Sequence, residues 1–501
     1  MLLEEIKRNI EQVAKRKAQE YHNYHNNLEL VYQRDKRRIS NPKKKQVKIP
    51  EEWKHDQKHN PFYVLKHKDK IAKSIFKKII NGTYKPNKPF LKKLKKKNSS
   101  KKTRLIHVFE IPDEAISYHF YRRLLGKNKH RFSSFSYAYR NDRNVHYAIQ
   151  DIALDIKNNP RMFIAEFDFR NFFGSIKHEY IYKQFDQNGF LISDFEKEII
   201  KSFLEHFPDG GIPQGTSLSL FLANLVCWRL DKKLETKGLR FARYADDTVI
   251  WSESYQKICE AFEIMQEFSN NAEVEINFEK SEGISLLTKK GIPSEFDRFK
   301  NSINFLGYKL SSECISMNDA AIKKIKKHIS YLLYKNLIQP LNQEELKAIR
   351  IPSNGEDPHF VTAIMQIRRY LYGRLSENIL RNYLNGSYKK LNFKGLMSFY
   401  PLIDDEEQIK HLDKWLVSTI LSTLRKRKQL LESRGFLVNN QFPFNLTNDN
   451  IILICKEKKI GKKSGLVEIP SFRRIYLAVK NNVLTKGIEE TMHPKSNIYN
   501  Y

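Results

Sequence analysis

Residues 240–253 read RFARYADDTVIWSE. Two carboxylates, Asp246 and Asp247, stand side by side between two apolar runs. Adjacent like charges repel, and strands rarely tolerate aspartate. Two readings fit the stretch alone: a polar β-turn, where Asp is common, or a cation site at a hairpin tip. An aromatic-x-Asp-Asp string arises by chance in roughly one chain in ten of this size, so the surrounding sequence has to decide.

Strand and helix signals alternate on both sides of it. RMFIAEFDF (161–169) is a short apolar strand ending near Asp168. A helical pattern follows from about His178 to His206. DGGIPQGTSLSLFLANL (209–225) then opens with glycines and continues as a helix to about Lys237, closed by Gly238. Beyond the hairpin, Ile258, Phe262, Met265 and Phe268 make one stripe of a helix over about 254–270. Val274, Ile276 and Phe278 alternate, which predicts a returning strand. Strand, helix, hairpin, helix, strand is the β-α-β-β-α-β plan of ferredoxin-like domains, within an α+β fold. In that plan the first strand and the hairpin are sheet neighbours, so Asp168 is expected close to Asp246.

Composition narrows the chemistry. The 501 residues carry a formal net charge of +32, an excess that points to a polyanionic partner, nucleic acid first. A solvated basic surface is the bland alternative. Lysine is densest between Asn41 and Arg104, and FLKKLKKKNSSKKTR (90–104) reads as a mobile basic loop suited to phosphate contacts. Residues 1–40 read as a helix with Ile6, Ile10 and Val13 on one face, a docking element; self-association as a homo-oligomer is the weaker reading. Cys227, Cys259, Cys314 and Cys455 are far apart, against a zinc knuckle or disulfide framework and in keeping with a reducing cytoplasm. The N-terminus lacks a secretory pattern. No run approaches the ~20 apolar residues of a membrane span, so no membrane partner is expected.

Three carboxylates converging on the sheet of a basic protein fit hard-cation binding. Oxygen ligands favour Mg²⁺, with Mn²⁺ as a substitute; such an ion keeps waters and binds beside substrate phosphates. Two ions about 3.5–4 Å apart can activate an attacking hydroxyl and stabilise a leaving oxygen. Asp168 and Asp246 are the expected main ligands, and Asp247 a weaker ligand or an orienting neighbour.

A family resemblance runs through the same residues. FIAEFDFRNFFGSI (163–176), GIPQGTSLSLFLANL (211–225), RYADDTVIW (243–251), INFEKSEG (276–283) and INFLGYKL (303–310) resemble, in this order and spacing, motifs A through E of reverse transcriptases. Upstream, KKTRLIHVFEIPD (101–113) and FSSFSYAYRNDRNVHYAI (132–149) resemble the fingers motifs of bacterial and group II intron enzymes. The resemblance covers roughly residues 100–310. It implies a right-hand polymerase: an N-terminal helix (1–40), basic fingers (41–160), a ferredoxin-like palm (161–310), and a helical thumb-like and C-terminal extension (311–501).

The implied roles follow position by position. Asp168, Asp246 and Asp247 are the catalytic carboxylates, with Phe169 at the metal site. Phe173 is the steric gate against a 2′-hydroxyl, which implies dNTP substrates; a core phenylalanine is its bland reading, since Phe172 is adjacent. Gln214 and Gly215 match the turn beside nucleotide and template, where glycine permits close backbone approach. Lys102 and Arg104 match the residues holding the triphosphate, and Lys280 is a candidate general acid for pyrophosphate. Phe305, Leu306 and Gly307 match the primer grip. His107 and His146 are read as structural.

Some residues depart from the usual pattern. Ser219-Leu220 replaces Ser-Pro, and Leu105 rather than Pro follows Arg104. With Leu222-Ala223-Asn224-Leu225 and KGLMSFYPLIDDEEQIKHLDKWL (394–416), these look like the abortive-infection and unknown-group reverse transcriptases of bacterial antiphage defence. That implies an RNA template, a non-coding RNA, and a DNA product. Two other readings stay open: a template-independent, protein-primed nucleotidyltransferase, with Tyr499 or Tyr501 as primer, and an intron maturase-like RNA-binding protein.

Overall fold

The computed structural model describes all residues except 1, 37–40, 96–102, 160, 282, 343–356, 388–389, 458, 461–462, 465–467 and 498–501. The chain divides into two units, one built from Met1–Asn27 and Gln46–Asn301, the other from Leu28–Lys45 and Ser302–Ile498. Among the described residues no helix is long and apolar enough to cross a membrane.

The helix α1 (Leu2–Lys36) buries Ile6, Ile10 and Val13 on one stripe in its first-unit portion, up to Asn27. α2 (Pro61–Ile80) starts where the Asn60 side chain accepts the Phe62 N–H and Pro61 fills the first turn. Next come β1 (Phe90–Lys95) and β2 (Thr103–Val108), an antiparallel pair with Phe90 opposite Val108 and Lys95 opposite Thr103. The basic stretch read as a mobile loop is therefore mostly the arms of a hairpin. Phe90, Leu91 and Leu94 on one arm and Leu105, Ile106 and Val108 on the other supply strand-favouring residues, while exposed strands tolerate the interleaved lysines. Its tip, with Lys102, lies outside the described residues.

α3 (Ile111–Asn128) and α4 (Val145–Asn158) lead to the central strand β3 (Arg161–Phe167). The helical pattern after it divides into α5 (His178–Gln187) and α6 (Asp194–Leu204), the latter opened by a capping box between Ser193 and Glu196. α7 (Leu218–Val226) and α8 (Trp228–Thr236) follow, interrupted at Cys227. The hairpin β4 (Arg240–Tyr244) and β5 (Asp247–Ser252), helix α9 (Tyr255–Ala272), β6 (Gly283–Thr288) and the short β7 (Phe299–Lys300) complete the unit.

The sheet order is β4-β5-β3-β6-β7. β3 pairs antiparallel with both β5 and β6, and α9 packs against β3 and β5. This is a ferredoxin-like arrangement, with β3 beside the β4–β5 hairpin as the sequence order predicts. One strand is misplaced by the sequence reading: Val274–Phe278 forms no strand, only an isolated bridge from Ile276 to Phe169. Glu273 takes φ +52° and reverses the chain, and Phe278 is left exposed. The strand that returns beside β3 is β6, whose GISLLT run covers Leu286 and Leu287 in the core.

In the second unit, β8 (Ile303–Phe305), β9 (Tyr308–Leu310) and β10 (Ile315–Met317) form a small antiparallel sheet. Helices follow: α10 (Asp319–Leu333), α11 (Pro358–Tyr372), α12 (Glu377–Leu384), α13 (Glu406–Glu432), α14 (Asn448–Glu457) and α15 (Phe472–Lys486). A buried pair, Arg427 with Asp357 at 2.6 and 3.0 Å, ties α13 to the start of α11.

Candidate active site

β4 and β5 are joined by the two residues Ala245 and Asp246, with Tyr244 opposite Asp247. Ala245 takes φ +62°, in the left-handed region. That conformation is uncommon outside glycine and local strain of this kind gathers at functional turns. The turn puts Asp246 at the tip and Asp247 at the head of β5. The β3–β5 ladder ends at Phe167 opposite Thr248. Extending that register by one residue sets Asp168 opposite Asp247. The two arms of the sheet thus bring together carboxylates that are far apart in sequence.

Asp168 is held from a second direction. Its Oδ2 accepts from Asn277 Nδ2 and from Lys280 Nζ, both at 2.8 Å. Its carbonyl accepts the Asn277 N–H at 2.8 Å, and its own N–H donates to Ser281 Oγ at 3.1 Å. The segment expected to be a strand therefore spends its hydrogen bonds fixing one aspartate. Phe169 forms the wide pair of that bridge: the bonds run from Asn277 to Asp168 and from the Arg170 N–H to Glu275. The bridge bonds leave the Phe169 carbonyl, the only ligand atom this residue offers, unused.

Electrostatics show the same convergence. Desolvation, then the charges of Asp246 and Asp168, push Asp247 up to about 6, with Lys280 pulling the other way. The residue as a whole keeps contact with solvent, so water screens part of this crowding. Lys280 is raised by its bond to Asp168 and by the nearby charges of Asp247 and Asp246. Lys280 thus faces all three carboxylates. Among the described residues no three acidic, histidine or cysteine side chains already form a metal-ligand set. The all-oxygen donors fit a hard cation such as Mg²⁺, which would have to displace or share Asp168 with Lys280.

Around these acids the other predicted residues are distributed unevenly. Phe173 and Phe172 are both buried. They meet edge to face at 5.5 Å, and Phe173 also meets Tyr139 at 6.3 Å. With both rings buried, Phe173 presents no open ring face, and its core reading and its gate reading share one position. Gln214 accepts the His107 N–H at 2.8 Å. Gly215, at φ +132°, lies so close to β2 that a Cβ would fall 2.2 Å from the His107 carbonyl oxygen. Its close backbone approach is therefore to the β1–β2 hairpin. Arg104 is in β2, opposite Leu94. Phe305, Leu306 and Gly307 turn β8 into β9, with φ +49° and +89° at Leu306 and Gly307, and belong to the second unit. Lys102, Tyr499 and Tyr501 lie outside the described residues. His146 is buried, and desolvation pushes it down to about 4.

Sequence reasoning missed Asn277 and Ser281, which anchor Asp168, and Arg243, a fully buried arginine in β4. The last had a signal. A charge in the middle of a strand flanked by buried apolar residues requires a buried partner.

A family model for reverse transcriptase (RNA-dependent DNA polymerase) matches residues 94–310. The Retron Ec86 reverse transcriptase of Escherichia coli is 30% identical over 127 residues, 24% of this chain and 37% of that protein. The match thus spans little more than a third of that relative's length. Among solved structures, apo telomerase from Candida Tropicalis has a TM-score of 0.37 at 10% identity, covering 84% of this chain and 73% of that one. The same telomerase truncated from its C-terminal domain has a TM-score of 0.34 at 12% identity, covering 49% and 59%. These superpositions are too loose to bear on function.

Proposed function

We propose, from the premise that residues 94–310 make this chain a member of the reverse transcriptase family, that it is an RNA-directed DNA polymerase. The observation that carries the reading is the meeting of Asp168 with the Asp246–Asp247 turn, set by the β3–β5 register and felt as mutual charge repulsion. A basic excess of +32 supports a nucleic-acid substrate.

In this reading Asp168, Asp246 and the Phe169 carbonyl are the groups that would hold two Mg²⁺ ions, with Asp247 as a weaker ligand or an orienting neighbour. When bound, the ions supply activation of the primer hydroxyl and neutralisation of charge on the leaving pyrophosphate. Asn277 and Ser281 keep Asp168 aimed, so that little reorganisation is needed at the moment of reaction. Lys280, freed from Asp168, donates charge or a proton to pyrophosphate. Phe173, packed against Tyr139, stands beside the sugar and selects dNTPs. Gly215 locks the β1–β2 hairpin, with Arg104, over the triphosphate. The template is an RNA, and resemblance to the abortive-infection and unknown-group enzymes supports a non-coding RNA template and a role in antiphage defence.

The test is incorporation of labelled dNTPs on an RNA template by the parent and by Asp246→Asn with Asp247→Asn. The variant is expected to lose synthesis while keeping the parent's circular dichroism spectrum, and EDTA to stop the parent. Undiminished synthesis by the double variant would refute the assignment. For the defence role, the same variant should lose any phage restriction that the parent confers on a bacterial host.

A further inference from the structure

β4 is an edge strand of the five-stranded sheet, and Arg243 near its end is fully buried. Its guanidinium reaches four other segments. Nε and Nη2 donate to the two carboxylate oxygens of Asp231, in α8, at 2.7 and 2.6 Å. Nη2 also donates to Ser136 Oγ at 2.8 Å. Nη1 donates to the Ala245 carbonyl at 3.1 Å and to Asn224 Oδ1, in α7, at 3.4 Å. Asp231, Ser136 and Asn224 are themselves fully buried. A planar fork held this way at several points has little rotational freedom left.

Neutralising the buried charge requires only Asp231. The bond to Ala245 does something else. Ala245 stands at φ +62°, and its carbonyl is turned toward the guanidinium rather than into the β4–β5 ladder. A two-residue turn in this conformation needs its surroundings to hold it, and the next residue is Asp246. The main chain adds a second tie: the Arg243 N–H donates to the Phe135 carbonyl at 2.9 Å, and the Tyr137 N–H donates to the Arg243 carbonyl at 3.0 Å. The segment around Ser136 thus covers the open edge of β4. Asn224 Nδ2 donates to the Ala138 carbonyl at 2.9 Å. One residue further on, the Tyr139 ring meets Phe173 at 6.3 Å between ring centres.

We propose that Arg243 is a positioning residue. Fixed by Asp231, Ser136 and Asn224, it holds the Ala245 carbonyl and so sets where Asp246 stands relative to Asp168. The same brace ties the 135–139 segment, ahead of the palm in sequence, to the turn that carries the chemistry. The inference rests on the polymerase reading for its kinetic consequence and on geometry alone for its structural one.

Two measurements on the full chain separate these. In rapid-quench incorporation of one dNTP, misfolding lowers the burst amplitude, whereas misplacement of Asp246 lowers the burst rate of the molecules that remain active. Arg243→Lys keeps a charge for Asp231 but cannot span to Ala245. Its burst rate should fall roughly tenfold or more, as small misplacements at a reacting centre do, with dNTP affinity within about threefold of the parent. Ser136→Ala leaves the Arg243–Asp231 pair intact and should show a smaller fall of the same kind. Amide exchange at Asp246 and Asp247, which reads the turn without turnover, should quicken in both variants. A burst rate and turn exchange equal to the parent's, with only amplitude lost, would overturn the proposal and leave Arg243 as packing. If Arg243→Lys does not fold, Ser136→Ala and Asn224→Ala carry the comparison, and unchanged rates and exchange in both overturn it. A parent that shows no burst at all refutes the polymerase reading, while turn exchange still decides the geometric claim.

Discussion

Gly215→Ala tests whether the glycine turn locks the β1–β2 hairpin to the palm. The added Cβ would stand 2.2 Å from the His107 carbonyl oxygen, about 1.2 Å short of ordinary contact. The obstacle is backbone on a strand, so no side-chain rotation can relieve it. A φ of +132° is also a region that residues with a Cβ avoid, at a cost of about 1–3 kcal/mol. Pushing the turn away stretches the 2.8 Å bond from the His107 N–H to the Gln214 carbonyl, and losing it costs about 0.5–1.5 kcal/mol more. Together these amount to about 2–4 kcal/mol of local stability. The assay is hydrogen exchange followed at the His107 amide, because a chain of two units need not unfold in one step. Exchange there should accelerate roughly 30- to 1000-fold at the conversion of 1.4 kcal/mol per tenfold, while amides of β6, on the far side of β3, stay near the parent's rate. If His107 exchanges within about threefold of the parent, the close approach is not real and the argument for a locked hairpin fails. If the lock holds Arg104 in place, the KM for dNTP rises in the same variant.

Two further outcomes follow from the site. Phe173→Leu, chosen because truncation of a buried Phe to Ala costs about 3–5 kcal/mol, should lower the ratio of kcat/KM for dNTP over NTP; an unchanged ratio in a folded variant reduces Phe173 to core. Without metal, Asp247 is raised to about 6 from an ordinary 3.8, so the folded state holds its proton more tightly than the unfolded one. Stability should then fall as pH rises from about 4 through 6 and stay at the lower level above. Asp247→Asn should remove that part of the fall in urea midpoints measured at pH 5 and 7 in EDTA, and equal pH dependence in parent and variant would show that solvent screens the crowding away.

How much of this was legible in sequence depended on which physical signal each residue emits. β3, the hairpin and α9 declare themselves by period: apolar runs bounded by acids, and a 3.6-residue stripe ending in Phe268. The approach of Asp168 to the Asp246–Asp247 turn followed from topology alone, because a ferredoxin-like order makes β3 and β5 neighbours whatever their side chains. Alternation failed at Val274–Phe278. Three apolar residues at every second position fit a strand, but period says nothing of a left-handed Glu273, and the backbone there is claimed by Asp168. The strand that does return beside β3, GISLLT, carries glycine and serine in its first half and shows no alternation, as a run with little exposed surface need not. The lysine hairpin was hidden in the same way, by charge that looked like a loop.

Arg243 is the instructive case. In sequence it is one of many basic residues in a chain of net charge +32, and the tempting inference is that it serves a polyanion. Its burial decides otherwise. An arginine that cannot reach solvent cannot reach phosphate, and its fork is already occupied by Asp231, Ser136, Asn224 and the Ala245 carbonyl. The discriminating signal was local: a charged residue beside Phe241 and Ala242 in a strand, one position before the aromatic that leads into the acidic turn. Such a residue must find its partners inside the protein, and the nearest groups needing a donor are those of a strained turn. The turn and its brace are therefore written next to each other in the chain, as RYAD, although the residues that fix the brace come from elsewhere, Asp231 and Asn224 from 12 and 19 positions back and Ser136 from 107.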